Sequence, residues 1–175
     1  MIIEKSNILK KKLLSKIDIK YQKSGFFDKD NIYTIDFKEC LGGDNEKYMK
    51  MYNWMSYGMD FMENVVGFFA YGKSIAKARE DLLSKLEWRN DISVLYVSIG
   101  NGMSLPYIPK HIDTKTLDLV GLDISKGMLK QSRKKYHKNF NLSLVNGCAE
   151  NLPFKNNMFD IVFHIGGINF FNNKE

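Results

Sequence analysis

Beyond residue 90 the sequence is built from short apolar runs, each stopped by glycine or polar turn residues and separated by helical or loop segments. Val94-Leu95-Tyr96-Val97 stops at Gly100-Asn101-Gly102, and Leu117-Asp118-Leu119-Val120-Gly121-Leu122 ends at Asp123. Leu142-Ser143-Leu144-Val145 is the third run, and Phe159-Asp160-Ile161-Val162-Phe163-His164 the fourth. Such runs read as strands, and strands joined by crossovers imply parallel pairing with right-handed connections. An α/β sheet follows. Ser125 is placed to cap a helix that carries Met128, Leu129 and Ser132 and runs to about Tyr136. The first crossover contains Pro106 and Pro109, so its helix is expected to be brief or broken.

Before residue 90 the pattern is mostly helical. Ile8, Leu9, Leu13, Leu14 and Ile17 fall on one side of a helix with lysines on the other, and residues 31–37 alternate as a short strand. From Lys47 to Tyr71 the chain is rich in Met and aromatic residues, which at helical spacing reads as core. Ile75, Ala78, Leu82 and Leu86 recur at helical spacing and predict a helix over 73–88.

Composition removes several classes. With 44% hydrophobic residues and only 3 Pro in 175, disorder and collagen-like repeats are excluded. The apolar stretch 65–71 is far short of the roughly 20 residues that span a bilayer, and no apolar block followed by a cleavage site marks a secretory signal. Cys40 and Cys148 lack partner-like spacing, so a reduced, cytoplasmic chain is expected. The net charge of +6 is spread along the chain. Lys10-Lys11-Lys12 and Arg133-Lys134-Lys135-Tyr136-His137-Lys138 read as solvated helix faces, with no accompanying nucleic-acid motif. No His/Cys/Asp/Glu cluster has metal-ligand spacing.

The Gly100-Asn101-Gly102 turn can serve a tight turn alone, or bring backbone close to a ligand beneath a helix N-terminus. Asp123 lies 21 residues after Gly102, at the end of the next strand. There a carboxylate either caps the following helix with Ser125 or accepts from both ribose hydroxyls of an adenosine-containing cofactor. The segment Met103-Ser104-Leu105-Pro106 supplies no third glycine, which argues against a pyrophosphate ligand.

Four motifs occur in order: Val94 to Gly102, Val120 to Leu129, Asn146-Gly147-Cys148-Ala149-Glu150-Asn151-Leu152-Pro153-Phe154, and Asn157 to Val162. Together they resemble the class I, Rossmann-like S-adenosylmethionine-dependent methyltransferases, on the small-molecule branch typified by ubiquinone/menaquinone-biosynthesis enzymes. Tyr52-Asn53 through Met59-Asp60 resembles that branch's substrate-side helix. The resemblance implies a parallel sheet of strand order 3-2-1-4 flanked by helices. Residues 1–90 would form a mainly helical region on the substrate side, and 91–175 a cofactor-binding half domain. It further implies S-adenosylmethionine as cofactor and a small-molecule methyl acceptor. Gly100, Asn101 and Gly102 would pass beneath the methionine part and Asp123 would hold the ribose. Ile124 and Met128 would lie against the adenine, with Cys148 and Ala149 at its edge. His164, at the end of the fourth strand, is a candidate base. The sequence departs from the family pattern at Tyr96, where an acid is usual, at Ser98, where a glycine is, and at Cys148, where a carboxylate is.

The usual fold continues past the fourth strand, whereas this sequence stops at Glu175. Residues 1–50, or a second copy of the chain in a homodimer, are therefore expected to cover that strand's edge. Two functions are open at this point. One is methyl transfer to a small molecule; the other is a shortened relative without catalysis that serves as a binding or assembly module.

Overall fold

The computed structural model describes residues 2–38, 46, 49–51 and 74–165. The Met- and aromatic-rich stretch, the segment 52–60 and Cys40 lie outside the described residues. In chain order the elements are α1 (Ile2–Lys16), α2 (Ile19–Gln22), β1 (Phe26–Phe27), β2 (Tyr33–Thr34) and α3 (Ser74–Ser84). There follow β3 (Ser93–Val97), a 3₁₀ turn (Leu105–Tyr107), β4 (Asp118–Asp123), α4 (Lys126–Tyr136), β5 (Leu142–Asn146) and β6 (Ile161–Phe163).

The strands form one sheet of order β1-β2-β5-β4-β3-β6. The four runs after residue 90 stand in the expected 3-2-1-4 order, all parallel, with Leu95 opposite Val120 and Gly121 opposite Leu144. The α/β, Rossmann-like reading is borne out. Each central strand is buried on both faces, which is why its sequence is a near-continuous apolar run. On β3, Val94 and Tyr96 face the layer built from Leu83, Leu105, Leu129 and Phe140, while Leu95 and Val97 face Leu13 of α1 and Ile17 just after it.

Three expectations are corrected. In α3 the inward residue is Leu83, 1% exposed, whereas Leu82 is 52% exposed. With two adjacent leucines, spacing alone leaves the facing side undetermined. Leu13 of α1 and Ile17 just after it are buried, but Ile8 is 52% exposed. The described N-terminal residues also do not cover the fourth strand. They extend the sheet at the opposite edge, where Tyr33 and Thr34 pair in parallel with Val145 and Asn146 of β5, and β1 pairs antiparallel with β2. Strand-forming Tyr33 and Ile35 bury completely or nearly so, and β5 offered them the unpaired edge.

The carboxyl end of α1 is sewn to the amino ends of β3 and β4. Lys16 is buried, and its Nζ lies 3.1 Å from Asp118 Oδ2, donates to Ser93 Oγ at 2.8 Å and sits over the Phe159 ring. Backbone bonds from Asp18 N to Pro153 O (2.9 Å) and Lys155 N to Lys16 O (2.9 Å) tie the same corner to the segment before β6. Removing one member of a buried ion pair leaves the other uncompensated, at a cost of about 3–5 kcal/mol. Lys16→Met is expected to lower stability by about that much in urea unfolding. Lys16→Met with Asp118→Leu should recover most of the loss.

Candidate functional site

The site is built where β3 and β4 end side by side. After Val97 the chain turns through Ser98, Gly100 and Gly102, all with positive φ (55°, 56° and 82°). Ile99 N–H still donates to Leu122 O at 3.0 Å, so the turn starts from a fixed position on β4, and Gly102 N–H closes it on Ile99 O at 2.9 Å. Ser98 thus holds the left-handed backbone in which the family's glycine would be unstrained.

Asp123, the last residue of β4, points into this turn. Its Oδ2 accepts from Gly100 N–H at 2.7 Å and its Oδ1 from Ser125 N–H at 2.8 Å. The carboxylate therefore takes the capping role that its sequence position allowed, and a bond to the glycine turn besides. It braces the start of α4, whose N-cap Ser125 accepts from Met128 N–H, and it spans to the glycine turn. Burial raises its pKa from 3.8 to about 6, against the opposing pull of backbone bonds from Ser125, Gly100 and Ile124. A carboxyl raised in this way stabilises the fold fully below its unfolded value. That contribution, about 3 kcal/mol, is lost as pH rises through about 6.

The other sequence-chosen residues divide by position. Asn101 and Met128 are buried, and Ile124 is half-buried beside Asp123. Gly147 N–H donates to Asp123 O at 3.1 Å, which brings the buried Cys148 and half-buried Ala149 to the same sheet end. His164 follows β6 and is exposed, away from these hydrogen bonds. Among the described residues, no group of three or more His, Cys, Asp and Glu could hold a metal. Asn146 was not foreseen: its Nδ2 donates to Asp123 O (3.1 Å) and Ile124 O (2.9 Å), locking the chain's exit from β4. Its only sequence signal was an Asn-Gly pair ending a strand.

Tyr96 fills the place of the family's acid with apolar bulk. Its ring stacks on Phe163 at 4.4 Å between centroids, and its hydroxyl donates to Ser104 Oγ at 2.9 Å. The glycines differ as well. A Cβ at Gly100 would meet nothing within 4 Å, whereas one at Gly102 would lie 2.7 Å from the Tyr136 ring and 2.9 Å from Ser132 Oγ. Gly102 serves the packing of α4, and Gly100 borders open space. Gly100→Ala is expected to cost only the left-handed strain, about 1–2 kcal/mol. Gly102→Ala should cost about 1–3 kcal/mol more from overlap, as read by chemical denaturation of both variants.

The chain is similar to known proteins in sequence and in fold. Residues 94–175 match a family model described as a methyltransferase domain. The chain is 27% identical over 119 residues to a demethylmenaquinone methyltransferase of Staphylococcus carnosus, covering 68% of this chain and 47% of the relative. It is 29% identical over 135 residues to a ubiquinone/menaquinone biosynthesis C-methyltransferase of Wigglesworthia glossinidia brevipalpis, covering 75% and 52%. The chain thus spans about half the length of these curated relatives. Among solved structures it is similar in fold to phosphoethanolamine N-methyltransferase 1 of Haemonchus contortus, in complex with phosphoethanolamine and S-adenosylhomocysteine. The TM-score is 0.54 at 14% identity, over 79% of this chain and 29% of that one. Residues 94–175 are thus similar in sequence to a methyltransferase domain, and the sheet they build has the Rossmann-like fold.

Proposed function

We propose that this chain binds S-adenosylmethionine and serves methyl transfer to a small molecule. The reading is carried by the Asp123 carboxylate, fixed against the Gly100 N–H beside open space at the carboxyl ends of β3 and β4. In open α/β sheets, ligands bind at that end, where strand order reverses. The Asp123 oxygens accept from the Gly100 and Ser125 N–H groups, and a carboxylate with about four lone-pair sites keeps acceptor capacity for a ribose hydroxyl. Gly100 and Asn101 would face the methionine part, Ile124 and Met128 the adenine, and Cys148 with Ala149 its edge.

When bound, S-adenosylmethionine supplies a methyl group on a sulfonium sulfur. The protein's part is then to orient and to exclude water. Correct placement of two reactants alone is worth on the order of 7–11 kcal/mol. The rigid β3–β4 end and the apolar Tyr96–Phe163 stack suit that task. His164, exposed after β6, would be the group that takes a proton from an oxygen acceptor. One curated relative is named a demethylmenaquinone methyltransferase and the other a ubiquinone/menaquinone biosynthesis C-methyltransferase, which favours an acceptor of quinone type. Residues 1–90 would supply the acceptor side, and two cysteines without partner spacing suit a reducing, cytoplasmic setting.

The use of Tyr96 and Cys148 where acids are usual favours a second reading, a binding module without catalysis. Each missing charge-assisted bond weakens cofactor affinity by about 1.5–3 kcal/mol. Titration calorimetry with S-adenosylhomocysteine separates the two. Binding is expected at pH 7.5, weakened at least about tenfold in Asp123→Ala. It should fall as pH drops below about 6, where protonation of Asp123 removes an acceptor. Heat-silent mixing at millimolar ligand overturns the first reading and supports the second.

A further inference from the structure

At the opposite end of the sheet, the N-terminal segment leaves a cavity. β2 covers only Val145 and Asn146 of β5, so the outer edge over Leu142–Leu144 is not paired by it. Between that edge, α1, the turn after β1 and the last turn of α4 lies a cavity of about 370 Å³. Its walls are Leu9 and Leu13 of α1, Phe27, Phe140, Leu142 and Leu144. That volume falls within the range of small-molecule sites, and equals about a dozen water-sized groups.

The rim is cationic in a specific way. Lys126, Lys130, Arg133 and His137 recur along one side of α4. The loop between β1 and β2 neutralises the first two: Lys126 Nζ lies 2.8 Å from Asp28 Oδ2, and Lys130 Nζ 2.9 Å from Asp30 Oδ2. Arg133 is next in the row and lines the cavity, with Lys10 and Lys138 beside it. Its guanidinium is half-buried and makes no hydrogen bond or close ion pair among the described residues, although Asp28 and Asp30 act on it from a distance. Lys10 leans over the Phe27 ring at 5.0 Å. Five cations therefore meet two carboxylates, and the two are already engaged. A half-buried cation beside an apolar chamber is matched by a ligand that brings one negative charge and a hydrocarbon tail.

We infer that this cavity binds a medium-chain carboxylate, its head on Arg133 and Lys138 and its tail along Leu9, Leu13, Phe140 and Leu144. The site is independent of the Asp123 end and does not rest on the proposed methyl transfer. Titration calorimetry of the whole chain with octanoate, octanol, acetate and inorganic phosphate tests it. Octanoate is expected to bind at least about tenfold more tightly than each of the other three. Arg133→Gln should weaken octanoate about tenfold and leave octanol unchanged. Leu9→Trp, at a half-buried helix position, should fill the chamber and abolish octanoate binding while the circular dichroism spectrum is kept. Added S-adenosylhomocysteine should not displace octanoate. Equal affinity for octanol, phosphate affinity matching octanoate, indifference to Arg133→Gln or displacement by S-adenosylhomocysteine would each overturn the inference.

Discussion

A parallel sheet is stable only when both faces are covered, and here the two covers come from opposite ends of the chain. The crossover segments of the C-terminal half, with Leu105, Leu129 and Phe140, and Leu83 of α3 close one face. The other is closed by α1 and the residue just after it, through Leu13 and Ile17 packed on Leu95, Val120, Leu122 and Val145. Without α1, that second layer of branched side chains would face water. The Lys16–Asp118 pair and the bonds at Asp18 and Lys155 fix where the helix lands.

Against this rigid frame, the end of β3 and β4 is kept under tension. Three alternate turn positions, 98, 100 and 102, have positive φ, and the one that is a serine is held there by its neighbours rather than by preference. Asp123 is buried at a cost that its backbone bonds only partly offset. A ligand bringing hydroxyl donors to that carboxylate would relieve the imbalance, favouring its ionised form. Stability spent in this way concentrates where binding happens. The Tyr96–Phe163 stack moves the balance in the other direction, trading a polar anchor for packing.

The strands after residue 90 were legible because two-sided burial writes an uninterrupted apolar run, and Ser125 was legible as a cap because its hydroxyl has one task there. That Gly100 and Asp123 share one end of the sheet followed from spacing across one crossover, whereas the bond between them did not. What stayed hidden depended on contacts between distant segments. Phe26–Phe27 is too short a strand to show alternation, and the edge of β5 that receives β2 is a property of the assembled sheet. Leu82 and Leu83 offered two helix faces, and only the packed layer chose between them. The bonds of Asn146 to the main chain of Asp123 and Ile124 exist only once β4 and β5 are in register.

The sewing of α1 to the far corner also dictates an order of events. Lys155 Nζ reaches back across 140 positions to Ser15 O, and Lys16 across 77 to Ser93. Contacts so remote in sequence form late, since loop closure must precede the reward. On the ribosome, α1 therefore waits for β3 to β6 to be synthesised before it has anything to rest on, and its greasy side must be tolerated in the meantime.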